Sequence, residues 1–217
     1  MNDALANLGR FDAMAAEWDD SPLRAGIARA VATAIAGTVP LRPDMRALEY
    51  GCGTGLVGVL LAERVAHIVA ADVAPNMLRV LDDKCRRAGR ANIETRRLDL
   101  TVDPPPAERF DLIFSSMTLH HIEDVDALLG ALTGLLTPGG WLALADLDRE
   151  DGSFHGPDVP GVFHCGFERA RLMDRLRALG LVDVTARTAH TVHKAGADGE
   201  RRAYPIFLIS ARRGDAV

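Results

Sequence analysis

The sequence predicts an α/β fold: an open, seven-stranded, mostly parallel sheet with helices on both faces and a C-terminal antiparallel hairpin. Short apolar runs alternate with amphipathic helical patterns along most of the chain. Several of these runs are apolar almost throughout, as in strands buried on both faces of a sheet. The length of 217 residues suits one domain with at most a modest addition. This alternation favours right-handed parallel crossovers.

The first 38 residues predict two helices ahead of the first strand. Seven strand candidates follow, at residues 45–50, 67–73, 92–98, 110–117, 141–147, 182–194 and 204–212. Helical patterns lie between them at residues 56–65, 75–88, 124–136 and 167–179. Thr137-Pro138-Gly139-Gly140 is a turn signal that ends the third of these helices. A short glycine-containing connection, residues 195–200, predicts the terminal hairpin.

Composition excludes several classes of protein. With 48% hydrophobic and 25% charged residues, the chain is not intrinsically disordered. Its net charge of −5 argues against a dedicated nucleic-acid binder, which would carry a strongly basic face. The three cysteines lack the close spacing of zinc or redox motifs. Since neither a secretory signal nor an apolar run of membrane-spanning length is visible, we expect a cytoplasmic protein with no membrane partner.

A glycine cluster, Glu49-Tyr50-Gly51-Cys52-Gly53-Thr54-Gly55, follows the first strand and opens a helix. Glycine lets the backbone turn tightly there and approach a ligand closely. Residues 53–58 also satisfy G-x-G-x-x-G, so an NAD(P)-dependent oxidoreductase is an alternative. Against it, Glu49 would repel a pyrophosphate, two helices precede the motif, and the chain leaves little room for a separate catalytic domain.

Glu49-x-Gly51-x-Gly53-x-Gly55 resembles motif I of class I S-adenosylmethionine-dependent methyltransferases, and the resemblance extends over roughly residues 8–213. It implies a Rossmann-like domain that binds S-adenosyl-L-methionine and releases S-adenosyl-L-homocysteine. The most similar group includes ubiquinone- and menaquinone-biosynthesis-type enzymes, which act on small molecules. This cofactor has a cationic sulfur and no phosphate, which suits a turn lined by acids.

The resemblance also implies which residues contact the cofactor. Asp72 ends the second strand, where one carboxylate can accept protons from both ribose hydroxyls. Asp99, in Leu98-Asp99-Leu100, matches an acid that accepts from the adenine amino group, and Met77 matches a position that packs on the adenine ring. The cofactor-binding residues implied are Glu49, Gly51, Gly53, Gly55, Asp72, Met77, Asp99, Leu100 and Ser115.

His120 and His121 lie just beyond the fourth strand. Ligands bind at the carboxyl ends of strands in open α/β sheets, so this pair supplies the candidate catalytic residues. A general base is needed only when the acceptor arrives protonated. Which of the two histidines faces the site is left open.

The stretch 148–166 lacks a clear element and follows the fifth strand, so it borders the same cleft. Asp146, His155 and His164 are candidate residues of an acceptor pocket on this side. With Asp148 and Cys165 they contain metal-ligand types, but no pair shows a recognised ligand spacing. We therefore assign no metal from the sequence.

The segment around Phe11 and Trp18 is similar to an F/Y-D-x-x-A-x-x-W/Y-D pattern found in small-molecule methyltransferases. There the leading helix covers the cofactor as a lid. We therefore divide the chain into an N-terminal helical lid, residues 1–40, and a methyltransferase domain, residues 41–217, whose irregular segment 148–166 lies on the substrate side.

The predicted function is methyl transfer from S-adenosyl-L-methionine to a small-molecule acceptor. No Asn/Asp-Pro-Pro-Tyr tetrapeptide is present, so we expect no nucleic-acid substrate. Two alternatives stay open: the NAD(P)-dependent oxidoreductase and a catalytically silent module that retains the cofactor pocket. The identity of the acceptor and self-association as a homodimer also stay open.

Overall fold

The computed structural model describes residues 3–155, 159–195 and 199–215, with side chains described from Asn7 onward. Parts of the predicted lid, of the stretch 148–166 and of the hairpin connection thus lie outside the described residues. The described strands form one seven-stranded sheet in the order β3-β2-β1-β4-β5-β7-β6. Its strands are β1 (Arg46–Tyr50), β2 (His67–Asp72), β3 (Ile93–Arg97), β4 (Phe110–Ser116), β5 (Leu136–Leu147), β6 (Leu181–Ala195) and β7 (Arg201–Arg213).

Strands β1 to β5 are mutually parallel, and β7 pairs antiparallel with both β5 and β6. The predicted α/β class, the mostly parallel sheet and the C-terminal hairpin are confirmed. The order reverses between β1 and β4, which is where open α/β sheets bind ligands.

The helices are α1 (Asp3–Met14), α2 (Pro22–Thr38), α3 (Gly58–Leu61), α4 (Pro75–Arg87), α5 (Val125–Gly134) and α6 (Arg169–Ala178). Short 3-10 helices occupy Ala15–Asp20, Ala62–Arg64 and Leu119–His121. No helix in the described part of the chain is long and apolar enough to cross a membrane.

Both faces of the sheet are buried because successive strand residues point to opposite sides. In β2, Ile68 and Ala70 join a core that contains α2, α3 and α4, whereas Val69 and Ala71 join a core that contains α5 and α6. All four side chains are fully buried. This explains why the runs are apolar throughout rather than alternating.

Two boundaries differ from the prediction. The helix expected over residues 56–65 is only α3 and the 3-10 helix after it, because the glycine turn continues to Val57. The expected turn at residues 137–140 lies inside β5, which begins at Leu136. There β5 bulges against β4, since Leu136 pairs with Phe110 but the next pair is Trp141 with Leu112. Proline and glycine are compatible with a bulge inside a strand as well as with a loop.

Candidate active site

The turn between β1 and α3 is built by three glycines with left-handed backbone angles. Gly51, Gly53 and Gly55 have φ of 69°, 53° and 74°. At Gly51 a side chain would also overlap Thr118, whose hydroxyl donates to the Gly51 carbonyl at 3.2 Å. Only glycine adopts such angles without strain. The turn therefore exposes backbone groups at the carboxyl end of β1.

Asp72, the last residue of β2, faces this turn. Its carboxylate accepts from the Gly53 amide at 2.7 Å and from the Ala74 amide at 2.9 Å. Burial raises the pKa of Asp72, and the two amides oppose that rise. Each carboxylate oxygen has further lone pairs, so Asp72 can fix the turn and still accept from a ligand.

The side chains of Trp18 and Met77 lie close to Gly53. A methyl group there would meet Trp18 Nε1 at 3.9 Å and Met77 Sδ at 4.0 Å, both ordinary contact distances. Met77 is 1% exposed and packs with Ala15 and Ala74. Trp18 and Met77 therefore lie directly beside the glycine turn and give this end of the sheet a partly apolar surface.

Glu49 lies beneath the turn and is 3% exposed. One of its oxygens accepts from the Gly58 amide at 3.2 Å, while the other, Oε2, is buried with no hydrogen-bond partner among the described residues. A side chain at position 58 would collide with this oxygen, which explains the glycine there. Burial raises the pKa of Glu49 to about 8. A cationic ligand group near the turn would satisfy this carboxyl group.

The buried Glu49 carboxyl group is expected to make folding stability depend on pH. Its pKa is about 8 in the folded chain and close to 4.5 in the unfolded chain. The stability that this group contributes is therefore present below about pH 4.5 and is lost as the pH rises toward 8. The loss is on the order of 5 kcal/mol. We expect the Tm of the cofactor-free protein to fall over this range, and Glu49→Gln to remove most of the fall.

Thermal unfolding at several pH values tests this expectation. Glu63→Gln is the matched control, because Glu63 lies on the surface in an ion pair with Arg90. That variant should follow the original protein. Equal pH dependence in both variants would contradict the assignment to Glu49.

The turn after β3 contains Asp99 and Leu100. Asp99 accepts from both the amide and the hydroxyl of Thr101, at 3.0 and 2.6 Å. The Leu100 amide donates to the Tyr50 hydroxyl at 3.2 Å. Burial raises the pKa of Tyr50, so this hydroxyl stays protonated. Tyr50 therefore fixes the turn that contains the predicted adenine-reading residues.

Ser115 has a different position from the other predicted cofactor residues. It is 1% exposed, and its hydroxyl donates to the Tyr50 carbonyl at 2.8 Å between β4 and β1. Its contact with the region around the glycine turn thus runs through Tyr50. The role of Tyr50 was missed in the sequence, where it stands out only as a polar aromatic residue just before Gly51.

The N-terminal segment covers the glycine turn and is tied to the domain by polar contacts. The Phe11 ring lies edge-on to Trp18, with centroids 5.5 Å apart. Asp12 accepts from the Asn76 amide at 2.6 Å, and Asp19 forms an ion pair with Lys84 at 2.6 Å. The sequence indicated the aromatic pair but gave no signal for the polar partners, because they are distant along the chain.

The two predicted catalytic histidines lie together, and both have oriented rings. His120 is 1% exposed, and its Nδ1 lies 2.6 Å from Asp146 Oδ1. His121 Nδ1 lies 2.6 Å from the Gly161 carbonyl oxygen. Burial is the main cause that lowers the pKa of His121 to about 4. Phe11 packs edge-on against His121 at 5.1 Å, so the pair adjoins the lid.

Asp146 and His155 join the same group. Asp146, at the carboxyl end of β5, is fully buried. Burial alone would raise its pKa, but His120 and the Leu147 amide outweigh that effect and keep the pKa below its usual value. His155 Nε2 lies 3.0 Å from His120 Nε2, and burial is the main cause that lowers the pKa of His155 to about 3. Asp146 and His155 therefore lie in contact with His120, at the carboxyl ends of β4 and β5.

The other candidate residues of the stretch 148–166, which are Asp148, His164 and Cys165, lie apart from this group. His164 Nε2 lies 2.9 Å from the Ile122 carbonyl oxygen and so helps to hold the stretch in place. Asp148 pairs with Arg169 through two short contacts, and Cys165 is exposed. The five residues of metal-ligand type noted in the sequence therefore do not come together at one place. The described histidines whose ring nitrogens do converge are His120, His121 and His155.

Comparisons with known proteins agree with this geometry. A family model described as a methyltransferase domain matches residues 16–187. An uncharacterized methyltransferase of Schizosaccharomyces pombe is 35% identical over 58% of this chain and 49% of its own length. A ubiquinone biosynthesis O-methyltransferase of Cereibacter sphaeroides is 30% identical over 69% of this chain and 66% of its own length. The chain thus spans about half the length of the first relative.

Among solved structures, the DhpI–SAH complex has a TM-score of 0.73 and 22% identity, and it covers 99% of this chain and 98% of that chain. This similarity confirms the Rossmann-like fold. The family match covers most of the chain and includes the glycine turn, Asp72, Asp99 and both catalytic candidates. The chain therefore belongs to the methyltransferase-domain family.

Proposed function

We propose that the protein transfers a methyl group from S-adenosyl-L-methionine to a small-molecule acceptor. The observation that carries this proposal is the chemistry of the glycine turn. Its three left-handed glycines lie beside two buried carboxyl groups, Glu49 and Asp72, and one oxygen of Glu49 lacks a partner. A cationic, phosphate-free ligand would favour the ionised form of Glu49 and meet the Asp72 carboxylate, whereas Asp72 would repel a pyrophosphate, so the NAD(P)-dependent alternative is not favoured.

In this proposal each part of the cleft binds one part of the cofactor. Asp72 accepts from the ribose hydroxyls. Asp99 and Leu100 bind the edge of the adenine ring, and Tyr50 and Ser115 hold these two residues in position. Met77 packs on the adenine ring. The backbone of the glycine turn, with Glu49 beneath it, holds the methionine portion. The members of this set are Glu49, Tyr50, Gly51, Gly53, Gly55, Asp72, Met77, Asp99, Leu100 and Ser115.

The bound cofactor supplies a methyl group on a sulfonium leaving group, so the protein contributes mainly alignment and exclusion of water. Phe11 and Trp18 cover the turn and can provide that exclusion. Because the covering segment is tied down by Asp12 and Asp19, these contacts must open for cofactor and product to exchange.

The acceptor binds on the side of His120, His121 and His155, which we name the histidine cluster. Asp146 orients His120, and Phe11 connects the cluster to the lid. We infer that the cluster handles the proton of the acceptor, while His164 shapes the pocket by holding the stretch 148–166. The choice of acceptor, a cytoplasmic location and any homodimer stay predictions from the sequence.

Two measurements test the proposed function. In a thermal-shift assay, S-adenosyl-L-homocysteine should stabilise the protein and NAD should not; stabilisation by NAD alone would refute the proposal. An extract screen with methyl-labelled S-adenosyl-L-methionine should then yield a labelled small molecule. Binding of S-adenosyl-L-homocysteine without any labelled product would favour the catalytically silent module instead.

A further inference from the structure

The histidine cluster has the arrangement of a metal-binding site. The candidate ligand nitrogens of His120, His121 and His155 all lie within 4.8 Å of one another. The three residues come from two separate parts of the chain, the 3-10 helix after β4 and the loop after β5. Bonds of about 2.0–2.1 Å from one Zn²⁺ ion to three imidazoles place the nitrogens about 3.3 Å apart. Small side-chain movements would bring this cluster to that spacing.

Two of the rings are held as metal-bound histidines usually are. His120 Nδ1 lies against the Asp146 carboxylate, and His121 Nδ1 lies against the Gly161 carbonyl oxygen, both at 2.6 Å. An oxygen acceptor fixes the proton on Nδ1, so Nε2 keeps the lone pair that a metal needs. Carboxylate or carbonyl partners behind ligating histidines fix the ring orientation and raise ligand basicity.

The contact between His120 and His155 also supports a metal-binding site. Their Nε2 atoms lie 3.0 Å apart. Because Asp146 fixes the His120 proton on Nδ1, Nε2 of His120 presents a lone pair to His155. Either a proton on His155 or a cation must lie between the two nitrogens. A metal ion shared by both rings would satisfy both lone pairs at once.

We propose that His120, His121 and His155 bind one divalent transition-metal ion, for which Zn²⁺ is the best match. Imidazole suits Zn²⁺ and other late first-row metals, and three protein ligands leave a position open, as in catalytic zinc sites. Metal binding itself does not depend on the proposed function. The role of the metal in catalysis does rest on it.

The charges around the cluster indicate what completes the site. Asp146 is the carboxylate in contact with the cluster, so a divalent ion leaves a net positive charge. Two cations lie near the cluster: Arg10 lies 5.5 Å from the centre of the Phe11 ring, which contacts His121, and Lys194 lies 4.2 Å from the centre of the Phe154 ring, which contacts His155. Nη1 of Arg10 is buried and has no hydrogen-bond partner among the described residues. An anionic oxygen of the acceptor would occupy the open coordination position of the metal and accept a hydrogen bond from Arg10.

The substrate class is therefore an acceptor with an ionisable hydroxyl group. The cluster acts on the acceptor proton through the metal, which lowers the pKa of this hydroxyl so that its proton leaves to solvent. The oxygen then forms a bond to the methyl carbon while the carbon–sulfur bond breaks, and that electron pair stays on sulfur. The products are a methyl ether and S-adenosyl-L-homocysteine, and the metal keeps its oxidation state.

Metal uptake by tag-free, chelator-treated protein tests this proposal. Equilibrium dialysis with Zn²⁺ and elemental analysis should give one ion per chain, and Co²⁺ should give the visible absorption of a four-coordinate site. His155→Ala and His120→Asn should each weaken Zn²⁺ binding at least about 100-fold, and Asp146→Asn about 10- to 100-fold. Asparagine at position 120 keeps a donor toward Asp146 while removing Nε2.

His67→Gln is the matched control, because His67 begins β2 at the opposite end of the sheet. It should bind Zn²⁺ like the original protein. If His120→Asn fails to fold, His155→Ala still tests the metal site, because His155 lies in a partly exposed loop where a substitution is tolerated by the fold. Absence of stoichiometric uptake, or uptake unchanged by His155→Ala, would overturn the metal site.

Calorimetry with S-adenosyl-L-homocysteine on the same metal-free samples separates the two proposals. Normal binding of that ligand without Zn²⁺ uptake refutes only the metal site. Zn²⁺ uptake without binding of that ligand refutes the proposed function and leaves the metal site standing.

Discussion

Replacing Asp72 by alanine is expected to weaken binding of S-adenosyl-L-homocysteine by two to four orders of magnitude. In the proposed complex the carboxylate accepts from two ribose hydroxyls, and hydrogen bonds to a charged group contribute about 1.5–3 kcal/mol each. The same carboxylate also anchors the Gly53 and Ala74 amides. The variant therefore loses both the ligand contacts and part of the order of the glycine turn.

Isothermal titration calorimetry measures this loss, with thermal unfolding as a check that the variant is folded. Asp72→Asn separates the two effects, because an amide oxygen can still accept from one backbone amide but the negative charge is gone. Asp44→Ala is the control, since Asp44 lies on the surface, in an ion pair with Arg42. Near-normal affinity in Asp72→Ala would refute the ribose-binding role.

A second large effect is expected at His120. His120→Asn should lower the rate of methyl transfer by about 10²- to 10⁴-fold, the usual contribution of assisted proton removal, which Nε2 of His120 would provide directly or through the proposed metal ion. The asparagine amide can replace the Nδ1 donor toward Asp146, so the buried carboxylate keeps a partner. Affinity for S-adenosyl-L-homocysteine should change little, because His120 lies on the acceptor side of the cleft.

Single-turnover transfer to the acceptor found in the extract screen tests this expectation. His67→Gln, at the far end of β2, should retain the original rate. A His120→Asn variant that transfers methyl groups at the original rate would exclude His120 from the reaction. Zn²⁺ uptake by the same variant, measured in parallel, shows whether a lower rate accompanies loss of the metal.

Much of the fold could be predicted because its signals are local. The apolar runs of β1, β2 and β4 and the glycine turn each occupy a few adjacent residues. The bulge at residues 137–140 was read as a turn because proline and glycine mark both features. Strand order and register depend on contacts between distant residues, so no local pattern in the sequence predicts them.

The candidate site was predicted where residues carry a recognisable motif. Asp72 and His120 lie where the sequence placed them, at the carboxyl ends of strands. The partners of these residues were harder to find. Tyr50 acts through Leu100, which is far away in sequence, and the convergence of His155 with His120 depends on a loop that has no regular pattern. Such pairings become visible only in three dimensions.

The position of β7 between β5 and β6 has a consequence for how the chain folds during synthesis. The ribosome makes β5 long before β7, yet β7 is the neighbour that covers the open edge of β5. Until Arg201–Arg213 has emerged, β5 is an unpaired edge that can associate with other nascent chains. Asp146 lies on this strand, opposite Phe207. The acceptor side of the cleft is thus completed late in synthesis, after the residues of the glycine turn can already have folded.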